Sequence, residues 1–263
     1  MKINIYINII YVISYYALPR EYIAEGLTFN FSNPNLTGIF LLNSCLYSIL
    51  GVIYFKGYYR NISLITTIYL IKFVIDTKSR TALISIIIFI IITFIIYFRK
   101  RVNLNKYFLD IILLTPFFIV YIYMYMVKSG LINILSFMQS KGKPLGSRFF
   151  IWEYAINKFK ENPLFGNYFG ISNGTGMSQM HNIYVDVLSS YGIIIFMLFS
   201  IYMIRIINSI NKKCNSKFQN IALLAFLTMI LMGTGEAALV SGGLGMYILT
   251  GNFLMLARYN SEI

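Results

Sequence analysis

Charged residues are scarce in this sequence. Only 12% of its 263 residues are charged, against about 25% in soluble domains, while 58% are hydrophobic and the mean hydropathy is +0.69. So little polar surface cannot cover a soluble globule, and we expect lipid to be the solvent. In hydrocarbon a backbone must bond to itself as helices or a closed barrel, and apolar runs such as 81–98 lack the alternation of barrel strands. The composition therefore predicts an all-α, polytopic transmembrane helical bundle.

Acidic residues are even scarcer. The sequence has nine, and none of them forms the Asp-x-Asp or clustered carboxylate arrangement expected where a metal holds a nucleotide-sugar. It also has neither a Walker loop nor a dinucleotide glycine fingerprint. We therefore expect no metal and no cofactor, and a transferase built on this chain would work without a nucleotide.

Basic residues outnumber acidic ones and give a net charge of +13. They fall mostly in alternate short loops between apolar runs, as the positive-inside rule requires of loops that face the cytoplasm. This pattern predicts a multi-pass protein of the plasma membrane with both termini cytoplasmic, and nucleic acid is not an expected partner. The two cysteines, Cys45 in an apolar run and Cys214 in a basic loop, are too far apart in this topology to form a disulfide.

Apolar runs of about 16–23 residues, long enough to cross a bilayer, predict about eight spans within a single integral membrane domain, 1–263. We place them at 3–18, 36–55, 61–76, 81–98, 107–127, 184–207, 218–235 and 240–257. The first lacks a small-residue cleavage site and is expected to be retained. Asn33-Pro34-Asn35, just before the second, is typical of a turn and helix cap.

One large extracytoplasmic loop, 128–183, separates the fifth and sixth predicted spans. Within it, Phe149, Trp152, Ile156 and Phe159 recur at spacings of three and four, with charged residues between them. This spacing predicts a helix lying in the membrane interface, with Trp152 at headgroup depth and Pro163 ending the helix.

His181 is the only histidine, and it lies just before a span on the predicted outer side. Histidine is the side chain best suited to exchange a proton near neutral pH, because its ordinary pKa is about 6.5. His181 is therefore a candidate catalytic base. A structural role as an interfacial hydrogen-bonding residue explains its position equally well.

Two arginines stand on the same predicted side as His181. Arg80 lies at the outer mouth of an apolar helix, where it is either a snorkelling anchor or an anion ligand. Arg148 opens the interfacial helix, where a cation is unfavourable for the helix itself but useful if an anion binds. A solvated loop position is the alternative for Arg148.

Several segments in this order resemble the O-antigen polymerase/ligase family (Wzy- and WaaL-like proteins) of bacterial cell-surface polysaccharide assembly. They are FSNPNLTG (31–38), KSRTAL (78–83), SRFFIW (147–152), ENPLFG (161–166), HNIY (181–184) and YGI (191–193). The large loop contains, in order, an arginine, the interfacial helix, Pro-x-x-Gly and His-Asn. This order makes the set more specific than any one segment.

The resemblance implies a metal-independent glycosyltransferase of the multi-span GT-C type, located in the bacterial plasma membrane. Its donor would be a sugar chain carried on undecaprenyl diphosphate. Arg80 and Arg148 would bind the diphosphate, and His181 would orient or deprotonate the acceptor hydroxyl. Membrane lipid, a flippase and chain-length regulator proteins are the expected partners.

Three hypotheses about function follow, and the first of them includes two transferase activities. The favoured one is polymerisation of lipid-linked repeat units into a capsule, exopolysaccharide or O-antigen, and a ligase that moves the finished chain to another acceptor would share the site. A transporter or flippase would use the arginines to line a path without chemistry, but Lys72 is the only charge well inside a run. An inactive scaffold would tolerate the loss of His181.

Members of this family generally have ten or more spans and longer chains. This sequence opens close to Asn33-Pro34-Asn35, so we expect a short variant, an N-terminally truncated remnant, or half of a split protein. A truncated remnant would be inactive.

Overall fold

The computed structural model describes residues 1–23, 26–28, 33–98, 104–131, 146–167, 180–235 and 243–259. Helices make up 82% of these residues. Nine α-helices are present in the described ranges: α1 (Lys2–Ala17), α2 (Pro34–Tyr54), α3 (Gly57–Asp76), α4 (Arg80–Phe98), α5 (Lys106–Lys128), α6 (Gly146–Glu161), α7 (Ile183–Asn211), α8 (Lys217–Met232) and α9 (Gly243–Arg258). Two short strands, β1 (Tyr22–Ile23) and β2 (Gly26–Leu27), pair antiparallel after α1.

A helix occupies each of the eight runs predicted from the sequence, and a ninth, α6, occupies the predicted position in the large loop. Four of the nine are long and apolar enough to cross a membrane: α2, α4, α5 and α7. The protein is therefore a helical membrane protein, as its composition predicted. The count of eight spans and the single-domain organisation stay predictions. Residues 31, 32, 132–145 and 168–179, which belong to the first family-like segment and to the large loop, lie outside the described residues.

The chain divides into two compact units. Unit 1 comprises Met1–Asn105, Ser209–Met232 and Leu244–Ile263, and unit 2 comprises Lys106–Asn208 and Gly233–Gly243.

In unit 1, α2 is central and packs against α1, α3, α4 and α8. It begins as predicted, because the Asn33 side chain accepts a hydrogen bond from the Asn35 amide (2.8 Å) and Pro34 occupies the first turn. Small polar residues let α2 and α3 approach closely, and the Ser48 and Thr66 hydroxyls lie 2.7 Å apart. Both cysteines are buried in this unit as free thiols.

In unit 2, α5 and α6 pack together, and α7 is broken at Gly192, whose φ of 75° is not helical. The segment that follows α6 supports this break. The Ile193 amide donates to the Pro163 carbonyl (2.9 Å), and the Asn167 amide donates to the Ser189 carbonyl (3.1 Å). α6 ends at Glu161, two residues before Pro163, as the sequence predicted.

Candidate active site

His181 lies two residues before the first residue of α7 and is half-buried. Its φ is 50°, in the left-handed region that residues other than glycine rarely adopt. Such a conformation persists where the surroundings fix the backbone on both sides. Met180 and Asn182, the two neighbours of His181, provide that restraint.

Asn182 is completely buried and fixes the start of α7. Its side-chain oxygen accepts hydrogen bonds from the amides of Tyr184 (3.0 Å) and Val185 (3.1 Å), which makes it the helix cap. Its amide nitrogen donates to the carbonyl of Pro116 (3.0 Å) and more weakly to that of Thr234 (3.4 Å). One side chain thus ties α7 to α5 and to the segment after α8.

The turn of α5 around Pro116 receives a second bond from α7. The Tyr184 hydroxyl donates to the Leu113 carbonyl of α5 (2.7 Å). The Ile183 amide donates instead to the Gly233 carbonyl (3.1 Å), in the segment after α8. A proline inside a helix removes a backbone bond and loosens that turn. The first residues of α7 therefore bond to a turn of α5 whose regular pattern is already interrupted.

On the other side of His181, the Met180 carbonyl accepts a hydrogen bond from the Trp152 indole nitrogen (2.8 Å). The indole is only 4% exposed and packs edge-on against the Tyr123 ring, with the ring centres 5.5 Å apart. Ile151, Ala155 and other apolar side chains complete a core that joins α5, α6 and the start of α7. The aromatic spacing of α6 predicted the helix, but the partner of Trp152 lies 28 residues away in sequence.

Arg148 lies one helical turn before Trp152 and so shares its face of α6. It is half-buried. Arg148 and His181 are thus attached to one core within unit 2, Arg148 through the face of α6 that it shares with Trp152 and His181 through Met180. The first turn of α6 contains no acidic residue to oppose its positive end.

Asp186 is the residue at this site that we did not anticipate from the sequence. It lies in the first turn of α7, five residues after His181, and is only 9% exposed. A carboxylate inside an otherwise apolar helix, five residues after the only histidine, is a signal that could have found it.

Arg80 belongs to unit 1, where it is exposed at the first residue of α4. The turn before it is tightly built: the Thr77 hydroxyl donates to the Val74 carbonyl (2.7 Å) and accepts from the Ser79 amide (3.2 Å). Ser79 is buried against Gly38, where an added Cβ would come within 2.8 Å of the Ser79 Cβ. The start of α4 is therefore fixed, and Arg80, like Arg148, stands in the first turn of a helix.

Within the described ranges, no three His, Cys, Asp or Glu side chains come together in a group that could hold a metal ion. In unit 2, Arg148 lies in the first turn of α6, whereas His181 and Asp186 lie at the start of α7.

A chain with several long apolar helices is a multi-pass membrane protein. The model of the O-antigen ligase family, Wzy_C, matches residues 65–200, which is about half of the sequence and includes Arg80, Arg148 and His181. The chain belongs to this family, as the ordered segments indicated. Members of the family are glycosyltransferase-like enzymes that act on lipid-linked oligosaccharide. A search of the curated proteins finds no match.

Proposed function

We propose that this protein polymerises undecaprenyl-diphosphate-linked oligosaccharide repeat units into a capsule, exopolysaccharide or O-antigen at the outer face of the bacterial plasma membrane. The observation that carries the proposal is the hydrogen bond from Trp152 to the Met180 carbonyl. This bond attaches α6, the helix that carries Arg148, to Met180, the residue next to His181. Sugar transfer from a diphosphate needs a cation that binds the anion, here the arginine, and a base that accepts a proton, here the histidine.

In the proposed reaction, the acceptor hydroxyl attacks the anomeric carbon of the donor sugar. The bond from that carbon to the diphosphate oxygen breaks, and the leaving diphosphate keeps the electron pair. His181 takes the hydroxyl proton, a contribution of about 10²- to 10⁴-fold for a general base. Arg148 and Arg80 stabilise the charge that grows on the diphosphate, and one such donor is worth about 10²- to 10³-fold.

The half-buried state of Arg148 supports this role. A guanidinium stays charged at any physiological pH and offers paired donors to phosphate oxygens. The free amides and the positive end of α6 already attract anions, and the charge of Arg148 in the first turn adds to this attraction. Arg80 stands in the same way at the start of α4.

The proposal includes eight spans in a GT-C-like bundle, both termini in the cytoplasm and loop 128–183 outside. It needs neither a metal nor a cofactor. A flippase would deliver the lipid-linked repeat to the outer leaflet, and a chain-length regulator would set the length of the product.

The second candidate is a ligase that transfers the finished polymer to another acceptor, which the description of the matching family favours. The two activities use the same donor chemistry and differ in the acceptor. They also differ in the intermediate that accumulates when the site fails, so one experiment tests both.

We would express His181→Ala, Arg148→Ala and Arg80→Ala in the native host and analyse surface polysaccharide and lipid-linked intermediates. Lys160→Ala is the matched control, because Lys160 is an exposed cation of α6. We expect each of the three to lower polymer at least about 100-fold at normal membrane expression, while the control leaves it unchanged.

Single lipid-linked repeats on the outer leaflet would support a polymerase, and long lipid-linked chains would support a ligase. Repeats retained on the inner leaflet would indicate a flippase. Polymer of normal length and amount in His181→Ala would contradict both transferase proposals.

A further inference from the structure

Two large apolar side chains project from the turn that follows α6. Leu164 is 55% exposed and Phe165 is 74% exposed. They are the two central residues of the Pro-x-x-Gly segment 163–166, which we call the Pro-x-x-Gly turn and which has no part in the proposed reaction. Neighbouring exposed apolar side chains mark a surface that contacts lipid or another protein.

The Pro-x-x-Gly turn is held rigidly. The Gly166 amide donates to the Asn162 carbonyl (2.9 Å), and the Ile193 amide of α7 donates to the Pro163 carbonyl (2.9 Å). Gly166 has a φ of 73°, and a Cβ at this residue would lie 2.5 Å from the Gly192 nitrogen. The turn is therefore fixed to α6 and to α7, and the exposure of its two apolar side chains belongs to a well-built segment.

The turn contacts α7 at the residue where α7 changes direction. The centre of the Tyr184 ring lies 6.0 Å from that of Phe196 and 5.9 Å from that of Phe199. In a straight helix, residues 184 and 199 would be about 22 Å apart along the axis, at 1.5 Å per residue. The two parts of α7 therefore meet at a sharp angle at Gly192.

The two parts of α7 have different surroundings. In the first part, residues 183–187 and 189 are buried in the protein. In the second part, four neighbouring apolar side chains are 42% to 59% exposed: Ile194, Ile195, Met197 and Leu198. In a membrane protein, such a row of exposed apolar side chains on a helix faces lipid. The lipid-facing surface of α7 therefore begins just after Gly192.

The length of the second part agrees with a complete span. It has 19 residues, 193–211, and extends about 28 Å at 1.5 Å per residue, close to the about 30 Å of a bilayer core. Arg205 lies near its end, where a long basic side chain can reach the headgroups. One boundary of the bilayer therefore lies beside Gly192, and so beside the Pro-x-x-Gly turn.

The aromatic face of α6 does not supply a lipid contact at this boundary. Trp152 is buried, and Phe149 and Ile156 pack against the same core as Val120 of α5. The spacing of these residues predicted that Trp152 would lie at headgroup depth, but protein covers it instead. A lipid contact at this end of unit 2 has to come from other side chains, and the turn offers two.

We propose that the Pro-x-x-Gly turn is a membrane anchor, in which Leu164 and Phe165 enter the lipid beside the start of the second part of α7. Leucine and phenylalanine are among the residue types that interfacial elements bury at the boundary between headgroups and acyl chains. The anchor would hold α6, and with it Arg148, at a fixed depth. The inference goes beyond the proposed reaction and does not depend on it.

Spin labels test this depth directly. We would attach a nitroxide to Leu164→Cys and to Phe165→Cys in the full chain, in lipid nanodiscs. EPR would then measure collisions with oxygen, which concentrates in hydrocarbon, and with a water-soluble nickel chelate. Leu198→Cys is the control for a lipid-facing position, and Asn157→Cys, at an exposed polar position of α6, is the control for an aqueous one. The wild-type protein, whose two cysteines are buried, gives the background.

We expect the ratio of oxygen to nickel collisions at both turn positions to be closer to that of Leu198→Cys than to that of Asn157→Cys. A ratio closer to that of Asn157→Cys would place the turn in water and overturn the inference. Few collisions with either reagent would show that another protein chain covers the turn, which would also overturn it. If the two labels disagree, Phe165→Cys decides, because Phe165 is the more exposed.

Discussion

Single residues carry most of the chemistry that could be read from the sequence. The uniqueness of His181 and the chemistry of arginine marked the candidates without any structure. The sequence could not show what holds them, because Asn182 reaches a carbonyl 66 residues away and Trp152 one 28 residues away. Side-chain type and helical spacing predict what a residue can do and which face it occupies, but not which distant backbone group it meets.

Asn182→Ala tests the restraint on His181. It removes the helix cap, worth about 1 kcal/mol, and leaves buried carbonyls with one donor fewer, at a further cost of about 1 kcal/mol or more. We expect the free energy of unfolding to fall by about 2–3 kcal/mol and transfer activity to fall with it, measured by chemical denaturation and by polymer analysis.

Asn182→Asp separates the two contributions, because aspartate keeps the capping oxygen and loses the donors to Pro116 and Thr234. Asn157→Ala, at an exposed position of α6, is the control and should change neither quantity. Wild-type stability in Asn182→Ala would show that the cap is dispensable.

At the scale of one element, α7 differs from its prediction. The apolar run 184–207 predicts one continuous helix, whereas the structure breaks it at Gly192. The break could not be predicted, because an isolated glycine is also tolerated within a helix. Its cause is the close approach of the Leu164–Gly166 backbone, where a Cβ on Gly192 would overlap the Leu164 carbonyl and lie 2.6 Å from the Gly166 nitrogen.

Gly192→Ala should therefore be strongly destabilising. The overlapping atoms belong to the backbone and cannot move aside, and a φ of 75° is itself unfavourable for alanine. We expect a loss of at least about 2 kcal/mol, read as a lower midpoint in thermal unfolding or as failure to accumulate in the membrane.

Gly251→Ala is the matched control for this element. Gly251 lies in α9 with nothing within 4 Å of an added Cβ. Alanine there should be neutral or slightly stabilising, since alanine is the better helix former. Equal stability of the two variants would contradict the packing argument for Gly192.

For the whole molecule, hydropathy predicted the helices well because lipid imposes the same rule on every span. The first and last residues of the helices were predicted less well. α1, α8 and α9 have 16 residues each, about 24 Å at 1.5 Å per residue, whereas a bilayer core is about 30 Å thick. These short helices are the reason why the eight-span topology needs a direct measurement.

Cysteine labelling provides that measurement, because the two native thiols are expected to react slowly with the label. Cys45 and Cys214 are buried, and burial raises the pKa of the Cys214 thiol to about 11. Since the thiolate is the reactive form, labelling of Cys214 should be slow at neutral pH and increase as the pH approaches 11. The wild-type protein should therefore give a low background with an impermeant maleimide.

Single cysteines at exposed positions then report the side of the membrane. We expect Asn162→Cys, after α6, to react in intact cells, and Lys212→Cys, after α7, to react only once the cells are permeabilised. The reverse pattern would invert the proposed topology and place His181 on the cytoplasmic side. Reaction of both in intact cells would rule out a single span between them.

The bond between Trp152 and Met180 has one more consequence. Trp152 is the only tryptophan of the sequence, and its indole is buried beside the residue that precedes His181. The protein therefore contains an intrinsic fluorophore at a single known position, whose emission depends on the hydration of the indole and on its hydrogen bond. Its emission reports on the junction of α6 and α7 without any added dye.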